Sequence, residues 1–219
     1  YSNYPARRIF EPYKFIQNKP ILFLVNLLCV LFIPFEVMQY KKFNKIFSIS
    51  ELSRRKLQKY TGYRSRVINC PTNFNVSFKK NQKTRNSFLL ICRLQIEKNI
   101  MSLIEIISKM PYNFRIVGTG PLLKKFLSSD YKNIKFLGYI SDSELSNEYS
   151  TAQALIYGSD IEYSLTLIEA LAHGLPIIAL KNENTKTMLI DKSIDTLNGE
   201  AIFFDKVDEP RIFKAINDF

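Results

Sequence analysis

The sequence predicts an α/β protein: a doubly wound parallel sheet over residues 86–219, preceded by an incomplete, partly helical region over residues 1–85. Three observations predict it. Short apolar runs alternate with helical patterns through the second half of the chain, as in βαβ units whose strands are covered on both faces. Residues 72–86 (TNFNVSFKKNQKTRN) are polar and basic and read as a linker, so the domain boundary falls there. Charge also divides: residues 1–100 carry 19 basic and 4 acidic side chains, whereas residues 101–219 carry 12 basic and 16 acidic.

Bulk composition narrows the function classes. With 46% hydrophobic residues, 7 Gly and 9 Pro in 219, disorder and collagen-like repeats are excluded. Cys29, Cys70 and Cys92 are widely spaced without a CxxC, and His173 is the single histidine, so neither a disulfide framework nor a metal cluster is supported. A reducing, cytoplasmic compartment fits this cysteine usage. The net charge of +11 points to anionic partners: phosphorylated ligands, anionic lipid or nucleic acid.

The elements come in order. The chain begins at Tyr1 without an initiator methionine, so a fragment or trimmed chain is expected. Ile21–Phe35 (ILFLVNLLCVLFIPF) is the most apolar run, 15 residues interrupted by Asn26 and Pro34. It is shorter than the roughly 20 residues of a membrane span and reads first as a buried helix. Basic flanks (Lys14, Lys19, Lys41, Lys42, Lys45) also suit an element resting on anionic headgroups. Then come a short strand (IFSIS), a basic amphipathic helix (ELSRRKLQKYTG) and a second short strand before Pro71.

Beyond the linker, the predicted strands are Phe88–Cys92, Phe114–Val117, Ile134–Leu137, Ala154–Tyr157, Ile177–Leu180 and Ala201–Phe204. Ile100, Leu103, Ile104, Ile107 and Met110 form a helical apolar stripe. Ser141 with Glu144 is a capping box opening a helix through Tyr149.

In open sheets of this kind ligands bind beyond the carboxyl ends of the strands, which directs attention to three loops. After Cys92 the chain reads Arg93, Leu94, Gln95, Ile96, Glu97, Lys98, Asn99, placing a guanidinium and an ammonium where a diphosphate could be held. As a bare pattern it equally describes a solvated basic loop. Gly118-Thr119-Gly120-Pro121 lies at a strand-to-helix junction: Gly allows close backbone approach, and Pro121 suits the first helical position. The pattern is not GxGxxG, which disfavours a nicotinamide or flavin site. The third loop leads into a helix near Ser164 (YGSDIEYSLTLIEALAHGLPIIAL), whose first-turn amides at Ser164, Leu165 and Thr166 make an anion site. Glu169, one turn on, is placed to accept two hydrogen bonds from a ribose diol or to stand in solvent. His173, beside Gly174, reads as structural.

Four motifs in this order, ICRLQIEKN, RIVGTGP, NIKFLGYISDSEL and SLTLIEALAHGLPII, resemble the donor-binding half of family 4 glycosyltransferases of the GT-B fold. The segment IFSISELSRRKLQKYTGYRSRVINCPTNFN resembles that family's interdomain portion. The resemblance implies a Rossmann-like donor domain over residues 86–219, with part of the acceptor domain and the interdomain region over residues 1–85. It also implies a retaining sugar transfer from a nucleotide sugar, such as a UDP- or GDP-sugar, to a glycan or lipid-linked acceptor hydroxyl, without a metal or cofactor. Under it, Arg93 and Lys98 face the donor diphosphate, Glu169 the ribose, Gly118 and Gly120 the donor turn, and Tyr139 with Ile140 the base.

The chain departs from the family pattern at specific residues. The first of two glutamates separated by seven intervening residues falls on Ile161, between Asp160 and Glu162, so Glu162 becomes the catalytic candidate through a one-residue slip. Cys92 replaces a Gly, and a glycine-rich loop after Leu180 reads Lys181, Asn182, Glu183, Asn184. The acceptor domain is incomplete, so a second chain that supplies it is an expected partner, with peripheral contact to an anionic membrane at its cytoplasmic face. The alternatives are a non-catalytic nucleotide-binding relative, which Ile161 favours, and a nucleic-acid-binding protein. No helix-turn-helix, RRM or zinc pattern supports the last, and no nucleic acid is expected.

Overall fold

The computed structural model describes residues 19–68, 86–95, 100–160, 163–190 and 201–219. The chain divides into two compact units, Tyr1–Pro71 and Thr72–Phe219.

The first unit opens with α1 (Lys19–Tyr40), a helix with Pro34 inside it. The sequence predicts a buried helix here, but the structure leaves much of it open: Phe23 is 74% exposed, and Leu24, Leu27 and Phe35 are also exposed. Among the described residues of the unit, few apolar side chains are available to cover it. The rest of the described unit is a small βαβ element in which β1 (Phe47–Ser48) pairs in parallel with β2 (Arg66–Val67) around α2 (Glu51–Thr61). Ser50 caps α2 by accepting from the Ser53 amide at 3.0 Å, and Gly62 ends it in the left-handed conformation at φ 75°. Among the described residues no helix is long and apolar enough to cross a membrane.

The second unit alternates strand and helix throughout: β3 (Ser87–Ile91), α3 (Ile100–Ile107), β4 (Asn113–Val117), α4 (Leu123–Leu127), β5 (Ile134–Gly138), α5 (Asp142–Thr151), β6 (Leu155–Tyr157), α6 (Leu165–Ala172), β7 (Ile177–Leu180), α7 (Glu183–Ile190), β8 (Ala201–Phe204) and α8 (Glu209–Asn217). The six strands form one parallel sheet in the order β5-β4-β3-β6-β7-β8. Every predicted strand is present, with shifts of one residue at some ends. The helix predicted to open at Pro121 begins at Leu123 instead, after a turn over residues 121–122.

Alternation along the strands divides the core into two layers. Phe88 and Leu90, Phe114 and Ile116, Ile156, Ile178 and Phe204 face one layer, which the stripe Leu103, Ile104 and Ile107 of α3 closes together with Ile212 and Ile216 of α8. Leu89, Val117, Leu155, Tyr157, Ile177 and Ala179 face the other, closed by Tyr149 of α5, Leu167 and Ala170 of α6, and Met188 and Leu189 of α7. Strands buried on both faces explain why the sequence shows continuous apolar runs there.

The order turns back between β3 and β6, which share one register pair, Leu89 with Leu155. Flanking bonds from the Leu89 amide to the Ala154 carbonyl (3.0 Å) and from Gln153 to Ser87 (2.9 Å) complete that junction. The crossover α5 starts with the predicted capping box: the Ser141 amide donates to Glu144 Oε2 at 2.8 Å, and the Glu144 amide donates to Ser141 Oγ. Its last turns engage one face of the sheet through two consecutive residues. Glu148 forms a mostly buried ion pair with Arg115 of β4 at 2.9 Å, and Tyr149 points into the core layer on that same face.

Hydrogen bonds to Ser141 hold the Glu144 carboxyl below its ordinary range, so its contribution to stability is present at neutral pH. That contribution disappears as pH falls through the lowered value, because the unfolded state then binds the proton more readily. Ser141→Ala should cost about 1 kcal/mol, and Tm measured between pH 7 and pH 3 should show a smaller acid loss in the variant than in the wild type.

Candidate functional site

Because all six strands run in parallel, their carboxyl ends lie along one edge of the sheet, and the predicted loops leave from it. Arg93, exposed, follows β3; Gly118 and Gly120 follow β4; Tyr139 and Ile140 follow β5; and Ser164–Thr166 open α6 after β6. The structure therefore brings these residues to one edge, at and beside the β3–β6 reversal where open α/β sheets bind ligands. Lys98, Ile161 and Glu162 lie outside the described residues.

The glycine turn is built against the arginine loop. Gly118 and Gly120 have φ values of 133° and 157°. A Cβ on Gly118 would stand 2.0 Å from the Cys92 carbonyl oxygen, and one on Gly120 would stand 2.4 Å from that of Leu94. The close approach inferred from sequence is thus made first to the chain's own backbone. Hydrogen bonds lock the two loops together: the Cys92 amide to the Val117 carbonyl (3.1 Å), Leu94 to Thr119 (2.9 Å) and Leu122 back to Leu94 (3.2 Å). The glycines thereby fix where Arg93 leaves the sheet.

Tyr139 is 84% exposed and follows Gly138, while Ile140 is half-buried against the core layer that holds Tyr149. At the third loop, Ser164 occupies the N-cap of α6 without a side-chain cap. Its amide donates to Met188 Sδ at 3.3 Å. Of the three amides expected to make an anion site, at Ser164, Leu165 and Thr166, that of Ser164 is therefore already engaged. Leu165 is exposed and Thr166 half-buried.

A small cleft between the ends of β3 and β6 is lined by Ile91, Cys92, Tyr157, Gly158 and Ser159. Burial is the main cause that pushes the Tyr157 phenol up to about 12, with the charge of Asp160 adding to it and the Ser164 hydroxyl opposing it. The loop after β7, where the sequence lacks glycines, is held by side chains instead. The Thr185 amide donates to Asn182 Oδ1 at 2.8 Å, and the Asn182 amide donates to Thr185 Oγ1 at 3.1 Å. Asn184, 3% exposed, donates its amide to Asp160 Oδ1. Among the described residues no group of three or more His, Cys, Asp or Glu side chains is placed to hold a metal ion.

Glu169 is half-buried on the second turn of α6. Tyr149 donates to its Oε2 at 2.7 Å, a contact that sequence reading missed. The available signal was a tyrosine at a core position of α5, because a buried phenol requires an acceptor. His173 completes the cluster. Its ring stacks on Tyr149 at 4.9 Å, Nδ1 lies 2.7 Å from the Glu169 carbonyl and Nε2 lies 3.0 Å from Ser146 Oγ. A carbonyl only accepts, so Nδ1 carries the proton and Nε2 accepts from the serine. This is a structural histidine.

A family model described as glycosyl transferases group 1 matches residues 73–219, the whole length of the sheet domain. The chain belongs to this family. Its relatives are consistent with that. One is the GtfA subunit of a UDP-N-acetylglucosamine–peptide N-acetylglucosaminyltransferase of Streptococcus pneumoniae, 30% identical over 144 residues, which cover 59% of this chain and 28% of that protein. Another is an uncharacterised glycosyltransferase of Methanocaldococcus jannaschii, 26% identical over 153 residues, 68% of this chain and 43% of that one. The fold also matches the crystal structure of Anabaena HepE in complex with UDP and glucose, with a TM-score of 0.65 at 16% identity over 85% of this chain and 56% of that one. The chain thus spans less than half the length of either curated relative.

Proposed function

We propose that this glycosyltransferase chain binds the nucleoside diphosphate of a nucleotide sugar along the carboxyl edge of its sheet. It then serves a retaining transfer of the sugar to a hydroxyl of a glycan or lipid-linked acceptor. The observation that carries the reading is the convergence of Arg93, the glycine turn, the start of α6 and Glu169 at the sheet reversal, within a family that transfers sugars. As the bond between the anomeric carbon and the diphosphate oxygen breaks, negative charge grows on the leaving group. Arg93, Lys98 and the free amides of α6 stabilise that charge, so no metal or cofactor is invoked. Glu169 takes the ribose hydroxyls, and Tyr139 with Ile140 border the base. Glu162 is the candidate for the sugar-facing carboxylate, in place of Ile161. A uridine donor is favoured, since UDP occurs in the names of both the pneumococcal relative and the HepE complex.

The pneumococcal relative is called a subunit, which supports a second chain that completes the acceptor side. The exposed apolar side chains of α1 support a peripheral contact with a membrane at its cytoplasmic face. Ile161 favours a second reading, a nucleotide-binding relative without transfer chemistry.

Titration of the chain with UDP, GDP and ADP, followed by thermal shift, tests the site. One diphosphate at about one hundred times its Kd should add about 2.7 kcal/mol of stability, and Glu169→Gln should reduce that gain. No stabilisation by any of the three would overturn both readings. Stabilisation without sugar transfer, in the presence of a partner chain that completes the acceptor side, would select the second.

A further inference from the structure

A glutamate on an open helix turn samples several rotamers, and a carboxylate that must accept two hydroxyls at once works only in one of them. Glu169 is not left to sample. Tyr149, 0% exposed, donates from α5 to Oε2 at 2.7 Å, while Oε1 has no hydrogen-bond partner among the described residues. A carboxylate offers about four lone-pair directions, so one phenol bond orients its plane and leaves the rest available. The phenol is itself braced. His173 stacks on it, and the ring of His173 is held at Nδ1 by the Glu169 carbonyl and at Nε2 by Ser146. Burial and the carboxylate charge of Glu169 push the Tyr149 phenol far up from its ordinary range, with the Thr166 hydroxyl opposing weakly, so it remains a donor.

We propose that Tyr149 is a positioning residue for ribose recognition: its hydroxyl, braced by His173 and Ser146, sets the Glu169 carboxylate in the orientation that accepts the ribose 2′ and 3′ hydroxyls. The proposal rests on the assignment of Glu169 to the ribose. A phenol that only stabilised the core would affect melting and leave the discrimination between ribose and deoxyribose untouched. A positioning phenol affects that discrimination.

The test is calorimetric titration of the full chain with UDP, GDP and ADP and with their 2′-deoxy counterparts. It compares the wild type, Tyr149→Phe, Ser146→Ala and Glu169→Gln, each first checked for a cooperative melt. The wild type should prefer the ribonucleotide by about tenfold or more, the scale of a hydrogen bond to a charged group. Tyr149→Phe keeps the ring against His173 and should lower that preference several-fold while leaving deoxynucleotide affinity near the wild-type value. Ser146→Ala, which frees the His173 ring without entering the core, should lower it by a smaller factor and serves if the phenylalanine variant does not fold. A preference unchanged in both Tyr149→Phe and Ser146→Ala overturns the proposal and leaves the Glu169 assignment standing. A preference that survives Glu169→Gln overturns the assignment itself, and the proposal with it.

Discussion

Gly118→Ala should lower the Tm of the sheet domain by roughly 10 °C, corresponding to about 3 kcal/mol for a domain of this size. Two costs combine. The backbone at φ 133° is one that a side chain rarely adopts, and the new Cβ would stand 2.0 Å from the Cys92 carbonyl oxygen. That oxygen belongs to backbone, so relief requires the 92–95 loop to move and its bonds to Val117 and Thr119 to break. Gly138→Ala is the internal control. At φ 67° with nothing within 4 Å of an added Cβ, it should cost only about 1 kcal/mol, from the left-handed conformation alone. Equal effects in the two variants, measured by thermal and urea melts, would refute the steric account. Gly118→Ala also displaces Arg93, so under the proposed function diphosphate binding should weaken even where the chain remains folded.

Arg93→Ala should weaken diphosphate binding by about 10- to 100-fold, the range of a charge-assisted hydrogen bond, with little change in melting of the unliganded chain. Arg93 is exposed on a loop already fixed by backbone bonds, so its removal leaves no cavity and, among the described residues, no orphaned partner charge. An exposed guanidinium is screened by salt. The gap between wild type and variant should therefore narrow between 50 mM and 500 mM NaCl, as followed by titration with UDP. Equal affinity of the two proteins at low salt would remove Arg93 from the diphosphate site.

The features legible in the sequence were those that neighbouring residues decide. Ile177–Leu180 and Ala201–Phe204 are strands with the predicted ends, because each is a short apolar run between breakers. The Ser141–Glu144 capping box spans four residues and was visible for that reason. The carboxyl-edge loops followed from the strand ends. Features made by distant segments were not visible. Tyr149 reaches Glu169 across 20 residues, and Gly118 meets Cys92 because β4 lies beside β3. The helix predicted at Pro121 starts later, since residues 120–122 turn to bond with Leu94. At α1, hydrophobicity predicted burial, but burial depends on a surface to pack against, which no apolar count supplies.

The reversal between β3 and β6 has a mechanical consequence. One half of the sheet carries Arg93, the glycine turn and Tyr139; the other carries the start of α6 and Glu169; a single register pair joins them. Consecutive residues of α5 grip both, Glu148 through Arg115 of β4 and Tyr149 through Glu169 of α6. The helix acts as a strut across a narrow seam: two side chains one residue apart tie the halves together, so their spacing does not rest on the sheet alone.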